Sequence, residues 1–437
     1  MWRPLLATCL ACVASFAAAD PAVGPAGRPL AFVGGMVITV SSPPIERGTV
    51  VVAGGRIAAV GPAATTAVPP DAEIVDATGQ VVMPGLVDTH SHVGGGRGGD
   101  SSAPVQPDVR ILDSINVRDA GLRKCVAGGL TTLNIMPGSG LLVGGQTVYV
   151  KLRRGEAIED LLYRDAAGLP LGGLKMANGT NPQRDAPFPG TRGKAAAIVR
   201  QKFTAAREYR LKMADPDPSK RPSPDLEMES LAECLDGRRI VHHHTHRADD
   251  ILTVLRLREE FGFRVVLHHV SEAWKVPAEL ARAGVPCSVI VVDAPGGKIE
   301  AMDMSLATAG ILERAGVPCA IHTDDPITDS RLFLRSAALA VRAGMSREKA
   351  IESVTIAGAR MLALEERIGS LDPGKDADIV LLSGDPLSVR TTVLGTWVEG
   401  KRVFDRESPE DRLLAVGGYG AGRDQHAEWC CAGGDYR

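Results

Sequence analysis

The residues of this chain that could do chemistry gather at the ends of apolar runs. Val81-Val82-Met83-Pro84-Gly85-Leu86-Val87-Asp88-Thr89-His90-Ser91-His92 reads as a strand that closes on two histidines one residue apart. Residues two apart on a strand face the same side, so both imidazoles can reach one point, and neutral imidazole is a ligand for Zn, Fe, Ni or Cu. A second tract, His242-His243-His244-Thr245-His246, follows a predicted strand and precedes a predicted helix. His268-His269 closes a third strand, and Ala320-Ile321-His322-Thr323-Asp324-Asp325-Pro326 carries a fourth into two carboxylates. Imidazoles and carboxylates repeated at strand ends are the donor set of a site that holds a metal ion and activates water. Adjacent strand residues point opposite ways, so spacing alone leaves His268 against His269 and Asp324 against Asp325 undecided.

Other chemistries are poorly served. No Gly-x-Ser-x-Gly nucleophile elbow occurs, and Gly138-Ser139-Gly140 lacks the strand–turn–helix frame that an elbow needs. The glycine-rich stretch 139–145 is not followed by the Gly-Lys-Ser/Thr of a phosphate cradle. Beyond Cys9 and Cys12, the cysteines are Cys125, Cys234, Cys287, Cys319, Cys430 and Cys431, none of them in a CxxC pair, so a thiolate zinc site is not indicated. A net charge of −3 provides no broad electrostatic footprint for nucleic acid, and 4% aromatics provide few stacking platforms.

The elements that must position these residues follow from the pattern around them. Strands over 239–243, 264–268, 285–289 and 317–321 alternate with helices over 248–261, 277–283, 305–315 and 329–343. Repeated βα units imply a parallel sheet, and this many in succession favour a (β/α)₈ TIM barrel over 84–364. A doubly wound open sheet would need a glycine-rich phosphate turn after its first strand, and none is convincing. Barrels place their sites at the C-terminal ends of the strands, where the histidines fall. Short β-rich runs separated by Gly34-Gly35, Ser42-Pro43-Pro44 and Gly54-Gly55 occupy 29–83, and β-rich text returns over 365–406. Both ends of the chain are therefore expected to build one small β-sandwich domain, with 407–437 as a glycine-rich tail.

Residues 84–92 resemble the first-strand signature of the amidohydrolase superfamily, and Leu371-Asp372-Pro373-Gly374-Lys375-Asp376-Ala377-Asp378 is similar to its C-terminal strand motif. The resemblance covers nearly the whole chain after the leader and points to the imidazolonepropionase and Xaa-Pro dipeptidase-like branch. It implies metal ligands His90, His92, Lys175, His244, His269 and Asp324, with Lys151 a weaker rival for the lysine. It also implies two divalent ions per chain, zinc foremost, bridged by Lys175 carrying a carboxylate taken from CO₂. An ammonium has no lone pair for a cation, so the lysine must be modified to serve. Asp324 becomes the general base and then the general acid of carbon–nitrogen bond hydrolysis. His246, Arg247 and Arg192 are the candidates for gripping a carboxylate on a small-molecule substrate. One departure stands out: relatives often carry Gly-Glu-Asn-Pro after the lysine strand, where this chain has Gly179-Thr180-Asn181-Pro182.

Two other functions fit the same text. One is a mononuclear hydrolytic deaminase on this scaffold, and the other a non-catalytic extracytoplasmic scaffold, which filled ligand positions disfavour. Residues 1–19 have the form of a cleaved secretory signal, with Arg3, an apolar run over 5–16 and Ala17-Ala18-Ala19 before Asp20. The expected location is periplasmic or secreted, without a membrane span, and a homo-oligomer is compatible with the chain. Cys287 and Cys319 occupy equivalent places in Ala283-Gly284-Val285-Pro286-Cys287 and Ala315-Gly316-Val317-Pro318-Cys319, so a bridge between adjacent strands is sterically open to them, although buried free thiols are the commoner outcome.

Overall fold

The computed structural model describes residues 27–95, 99–291 and 298–417. The leader and all but the start of the C-terminal tail, including Cys430 and Cys431, lie outside the described residues.

β-branched runs interrupted by turn residues build the first part: β1 (Leu30–Val37), β2 (Ile45–Ala53), β3 (Arg56–Pro62), β4 (Glu73–Asp76) and β5 (Val81–Pro84). Gly54 and Gly55 join β2 to β3 with φ of 57° and 76°, the left-handed pair that a two-residue hairpin turn requires. The middle contributes β6 (Leu86–Ser91), α1 (Ala120–Ala127), β7 (Leu130–Ile135), β8 (Val143–Gln146), β9 (Val148–Lys151) and β10 (Gly173–Ala177). Then come α2 (Arg192–Met213), α3 (Leu226–Leu235), β11 (Ile240–Thr245), α4 (Ala248–Phe261), β12 (Val265–His269) and α5 (Pro277–Ala283). They are followed by β13 (Cys287–Ile290), α6 (Thr308–Arg314), β14 (Cys319–His322), α7 (Phe333–Arg342), α8 (Arg347–Ser353) and α9 (Ile356–Met361). The chain returns to β structure in β15 (Ile379–Leu382), β16 (Val393–Val398) and β17 (Lys401–Asp405), and closes on α10 (Pro409–Val416).

The terminal strands pair into one eight-stranded sheet in the order β17-β16-β15-β5-β1-β2-β3, with β4 on β1. β15 runs antiparallel to β5, which zips the end of the chain onto its beginning. Phe32, Val50, Ile57, Val82, Ile379, Leu381 and Trp397 form its core, and the Phe32 and Trp397 rings meet edge to face at 4.8 Å. Truncating such a buried aromatic costs about 3–5 kcal/mol, so Phe32→Ala would loosen the joint between the two ends.

The middle is an α/β structure of the TIM-barrel type. β10 to β14 lie side by side in sequence order, all parallel, with helices between them. β6 and β7 are a second parallel pair. Between the two sets the order departs from a regular (β/α)₈ repeat. β9 runs antiparallel to β7, and β8, which continues into β9 through Thr147, runs antiparallel to β10. The cause lies in the glycine-rich stretch after β7. No helix intervenes there, and a parallel return needs a long crossover, so the chain turns back on itself. Gly145, within β8, has φ 119°, and a Cβ there would lie 2.4 Å from the Val109 carbonyl oxygen. At the far side, β6 meets β14: the Asp324 amide donates to the His90 carbonyl and the His92 amide to the Asp325 carbonyl.

A buried ion cluster ties the middle to the terminal sheet. Lys151, fully buried at the end of β9, faces Asp376, Asp378 at 3.2 Å and Glu399 at 3.3 Å. Two of these carboxylates belong to the Leu371–Asp378 phrase.

Candidate metal centre

Register sets the inner side chains. β10 pairs Lys175 with His242, and β11 pairs His244 with His268. The rings at the strand ends then pack against one another. His90 Nε2 lies 3.2 Å from His92 Nε2 and 3.4 Å from Asp324 Oδ1. His92 Nε2 is 3.1 Å from the same carboxylate oxygen, and His269 Nδ1 is 3.6 Å from Asp324 Oδ2. Lys175 Nζ stands 3.1 Å from His90 Nε2 and 3.2 Å from Met136 Sδ. Its rival Lys151 is committed to three carboxylates in the other cluster, which raise its pKa against the pull of burial.

His269 and Asp324 reach this group by leaving strand geometry. Their φ values are 68° and 54°, in the left-handed region that non-glycine residues seldom occupy. Strict alternation would send His268 and His269 to opposite sides. The left-handed turn at His269 instead brings both rings inward, 4.9 and 4.7 Å from the His90 ring. Local strain of this kind concentrates at functional sites.

His244 lies on the other flank of His269, with ring centroids 4.5 Å apart, and faces a group that the sequence did not disclose. Glu300, in the short turn Ile299–Ala301, is buried; its Oε2 accepts from the Thr180 amide at 2.7 Å, and its Oε1 is 3.9 Å from His244 Nε2. A carboxylate thus stands against position 180 after all, delivered from the loop after β13. Nothing in Lys298-Ile299-Glu300 as text marks this role. Asp88 was equally silent. It accepts from the His90 amide at 3.1 Å and the Thr323 hydroxyl at 2.5 Å, pinning the two strand ends that carry His90 and Asp324.

The three residues assigned to substrate separate. His246 is buried beside His244, its Nδ1 2.7 Å from Ser271 Oγ. Arg192, at the start of α2, holds the Asp250 carboxylate at 2.9 and 3.1 Å and approaches Glu300 at 3.8 Å. Arg247 precedes α4, half exposed, and pairs with Asp249. Asp325, the alternative to Asp324, accepts from the Ser330 amide and hydroxyl and closes the turn after β14.

Burial keeps seven of the imidazoles neutral. His90, His244, His268 and His269 are driven well below the ordinary histidine pKa of 6.5, and His242, His246 and His322 to about 3. Burial pushes Asp324 upward, but the His92 hydrogen bond and the nearby Lys175 ammonium hold it below the usual carboxylate range. A carboxylate amid neutral imidazoles is the donor set that divalent Zn, Mn or Co takes. His244 Nδ1 and His269 Nε2 are buried without a hydrogen-bond partner among the described residues, the state in which a metal-ligating nitrogen is left when no ion is present. Among the described residues, three donor groups lie close enough to share an ion: His90–His269–Asp324, His90–His268–His322 and His244–His246–Glu300.

Comparison with known proteins fits this arrangement. Residues 226–404 match the family model described as the amidohydrolase family. An amidohydrolase from Thermotoga maritima is 35% identical, with a TM-score of 0.79 over 86% of this chain and 100% of that one. An imidazolonepropionase from Erwinia tasmaniensis is 27% identical over 77% of this chain and 86% of its own length. Amidohydrolase tasK from Hapsidospora irregularis is 28% identical over 77% of this chain, which spans only 38% of that protein. The chain belongs to the amidohydrolase family.

Proposed function

We propose that the chain hydrolyses a carbon–nitrogen bond, in an amide, peptide or cyclic amide, with divalent metal held by His90, His92, Lys175, His244, His269 and Asp324. The reading rests on one observation: His90, His92 and His269 converge on the Asp324 carboxylate, every side chain at most 7% exposed. Two ions, zinc foremost, with a carboxylated Lys175 between them, complete the proposal. When bound, such ions activate water and polarise the scissile carbonyl. The protein handles the proton. Asp324, ionised at neutral pH, accepts it from the attacking water and returns it to the leaving nitrogen. Its place between His90, His92 and His269 sets that carboxylate where the attacking water would be activated.

On the substrate side, His246 Nε2 is buried and unpartnered among the described residues, which makes it the group best placed to meet a small polar molecule. Arg192 and Arg247 already hold carboxylates, so their grip on a substrate would require exchange of Asp250 or Asp249.

The test is a screen of dipeptides, N-acyl amino acids and cyclic amides against Zn-, Mn- or Co-loaded protein. Turnover of one class, lost on chelation and restored by metal, supports the reading. Ammonia release from amino-heterocycles by protein with one ion per chain would replace it with a deaminase. Export belongs to the same proposal: exported protein should begin at Asp20, and retention of Met1 would remove the leader reading.

A further inference from the structure

A row of buried hydrogen bonds leads away from the metal centre on the side opposite Asp324. His90 Nδ1 lies 3.2 Å from His268 Nδ1. His268 Nε2 lies 2.9 Å from His242 Nδ1, and His242 Nε2 lies 2.9 Å from Tyr149 Oη. Three imidazoles and one phenol from β6, β12, β11 and β9 thus form a single chain, each at most 3% exposed.

The direction of this chain follows from its first ring. His90 turns Nε2 toward His92, Asp324 and Lys175, so Nε2 is the nitrogen that would face an ion. A neutral imidazole that gives one nitrogen's lone pair to a cation carries its proton on the other. His90 must then donate from Nδ1, and His268 Nδ1 must accept. His268 therefore carries its proton on Nε2 and donates to His242 Nδ1. His242 carries its own on Nε2 and donates to the Tyr149 oxygen. Every ring has one donor and one acceptor nitrogen, and each is used once.

We propose that His268, His242 and Tyr149 are positioning residues of the metal centre, a hydrogen-bond chain that fixes the tautomer and orientation of His90, and that His268 is an acceptor for His90 rather than a metal ligand. The proposal rests on the reading of His90 as a ligand through Nε2. It decides between two roles that distance alone leaves open, because His90, His268 and His322 are also close enough to share an ion.

Two substitutions at His268 separate those roles. In His268→Asn, an amide oxygen stands near the place of Nδ1 and can accept from His90. His268→Phe keeps an aromatic ring and removes the acceptor. Competition of Co(II) against a chelator gives the affinity and number of ions, and circular dichroism of metal-free protein checks folding. Loss of such an outer partner weakens metal binding about 10–100-fold. His268→Phe should show that loss at one ion, while His268→Asn should stay within about threefold of wild type on the same argument. Tyr149→Phe, at the far end, should weaken binding in the same direction by less. If both His268 variants lose an ion outright, His268 is a ligand and the proposal fails. If neither changes affinity, the chain does not act on His90 and the proposal fails with the metal centre intact. Wild-type protein that binds no ion would instead remove the underlying reading. Should His268→Phe not fold, ¹⁵N-histidine spectra of zinc-loaded wild type decide: a proton on His268 Nε2 agrees, and one on Nδ1 overturns the assignment.

Discussion

His92 Nε2 and Asp324 Oδ1 stand 3.1 Å apart, joining the residue just past β6 to the second residue past β14. The contact exists because the Asp324 amide donates to the His90 carbonyl and φ at Asp324 is 54°, which swings the carboxylate back over the strand end. In the proposed chemistry this carboxylate is both a ligand and a base.

Two buried lysines should behave differently on removal. Lys175→Ala should leave a folded protein that has lost much of one ion, read by metal analysis. Lys151→Ala strips the cation from Asp376, Asp378 and Glu399, and breaking a buried pair costs about 3–5 kcal/mol. It should lower stability in denaturant while the surviving folded protein keeps its ions. Full metal retention in Lys175→Ala would take that lysine out of the centre.

Metal-free protein should be sensitive to mild acid. His242, His246 and His322 titrate at about 3 when folded and near 6.5 when exposed. Between those values the unfolded chain binds more protons, so stability held above pH 6.5 is lost as pH falls through the window toward 3. Thermal scans of chelator-treated protein from pH 8 to 4 check this. A melting temperature that stays flat down to pH 4 would contradict the buried neutral state of these rings.

Cys287 and Cys319 are direct register partners on β13 and β14, as their repeated phrases suggest, yet both thiols are free. Burial raises both thiol pKa values, that of Cys319 to about 12, which suppresses the reactive thiolate. Peptide mapping without reductant should find two thiols, and a bridged peptide would contradict that state.

Much of the centre was legible as text because its signals are local. The His90-Ser91-His92 spacing and the alternation of strands and helices over 239–343 need only period and neighbours. The β11 strand expected over 239–243 spans Ile240–Thr245, and the helix expected over 248–261 spans Ala248–Phe261. What stayed hidden depends on backbone turns or distant pairing. Strand alternation gave no means of seeing His268 and His269 side by side, since that needs the left-handed φ at His269. Arg192 reads as a free cation until Asp250, 58 residues away, is seen to hold it. Glu300 and Tyr149 meet the histidines only through the fold, as Asp88 meets Thr323, and the antiparallel β8 and β9 follow from a missing crossover helix rather than from any strand's own pattern.

The most direct test of the account is the turnover of Asp324→Asn with metal in place. Asparagine keeps the shape of aspartate but cannot take a proton from water at neutral pH. The remaining ligands should hold much of the metal, so content and folding should stay close to wild type. General acid–base groups contribute about 10²–10⁴ in rate, so kcat on whichever amide the screen identifies should fall by at least about 10². Asp325→Asn, which alters only the bonds to Ser330, serves as the control and should cost little beyond local stability. Near-normal kcat in metal-loaded Asp324→Asn would contradict the proton-transfer role at the heart of the proposal, and loss of activity in Asp325→Asn alone would shift that role to the neighbouring carboxylate.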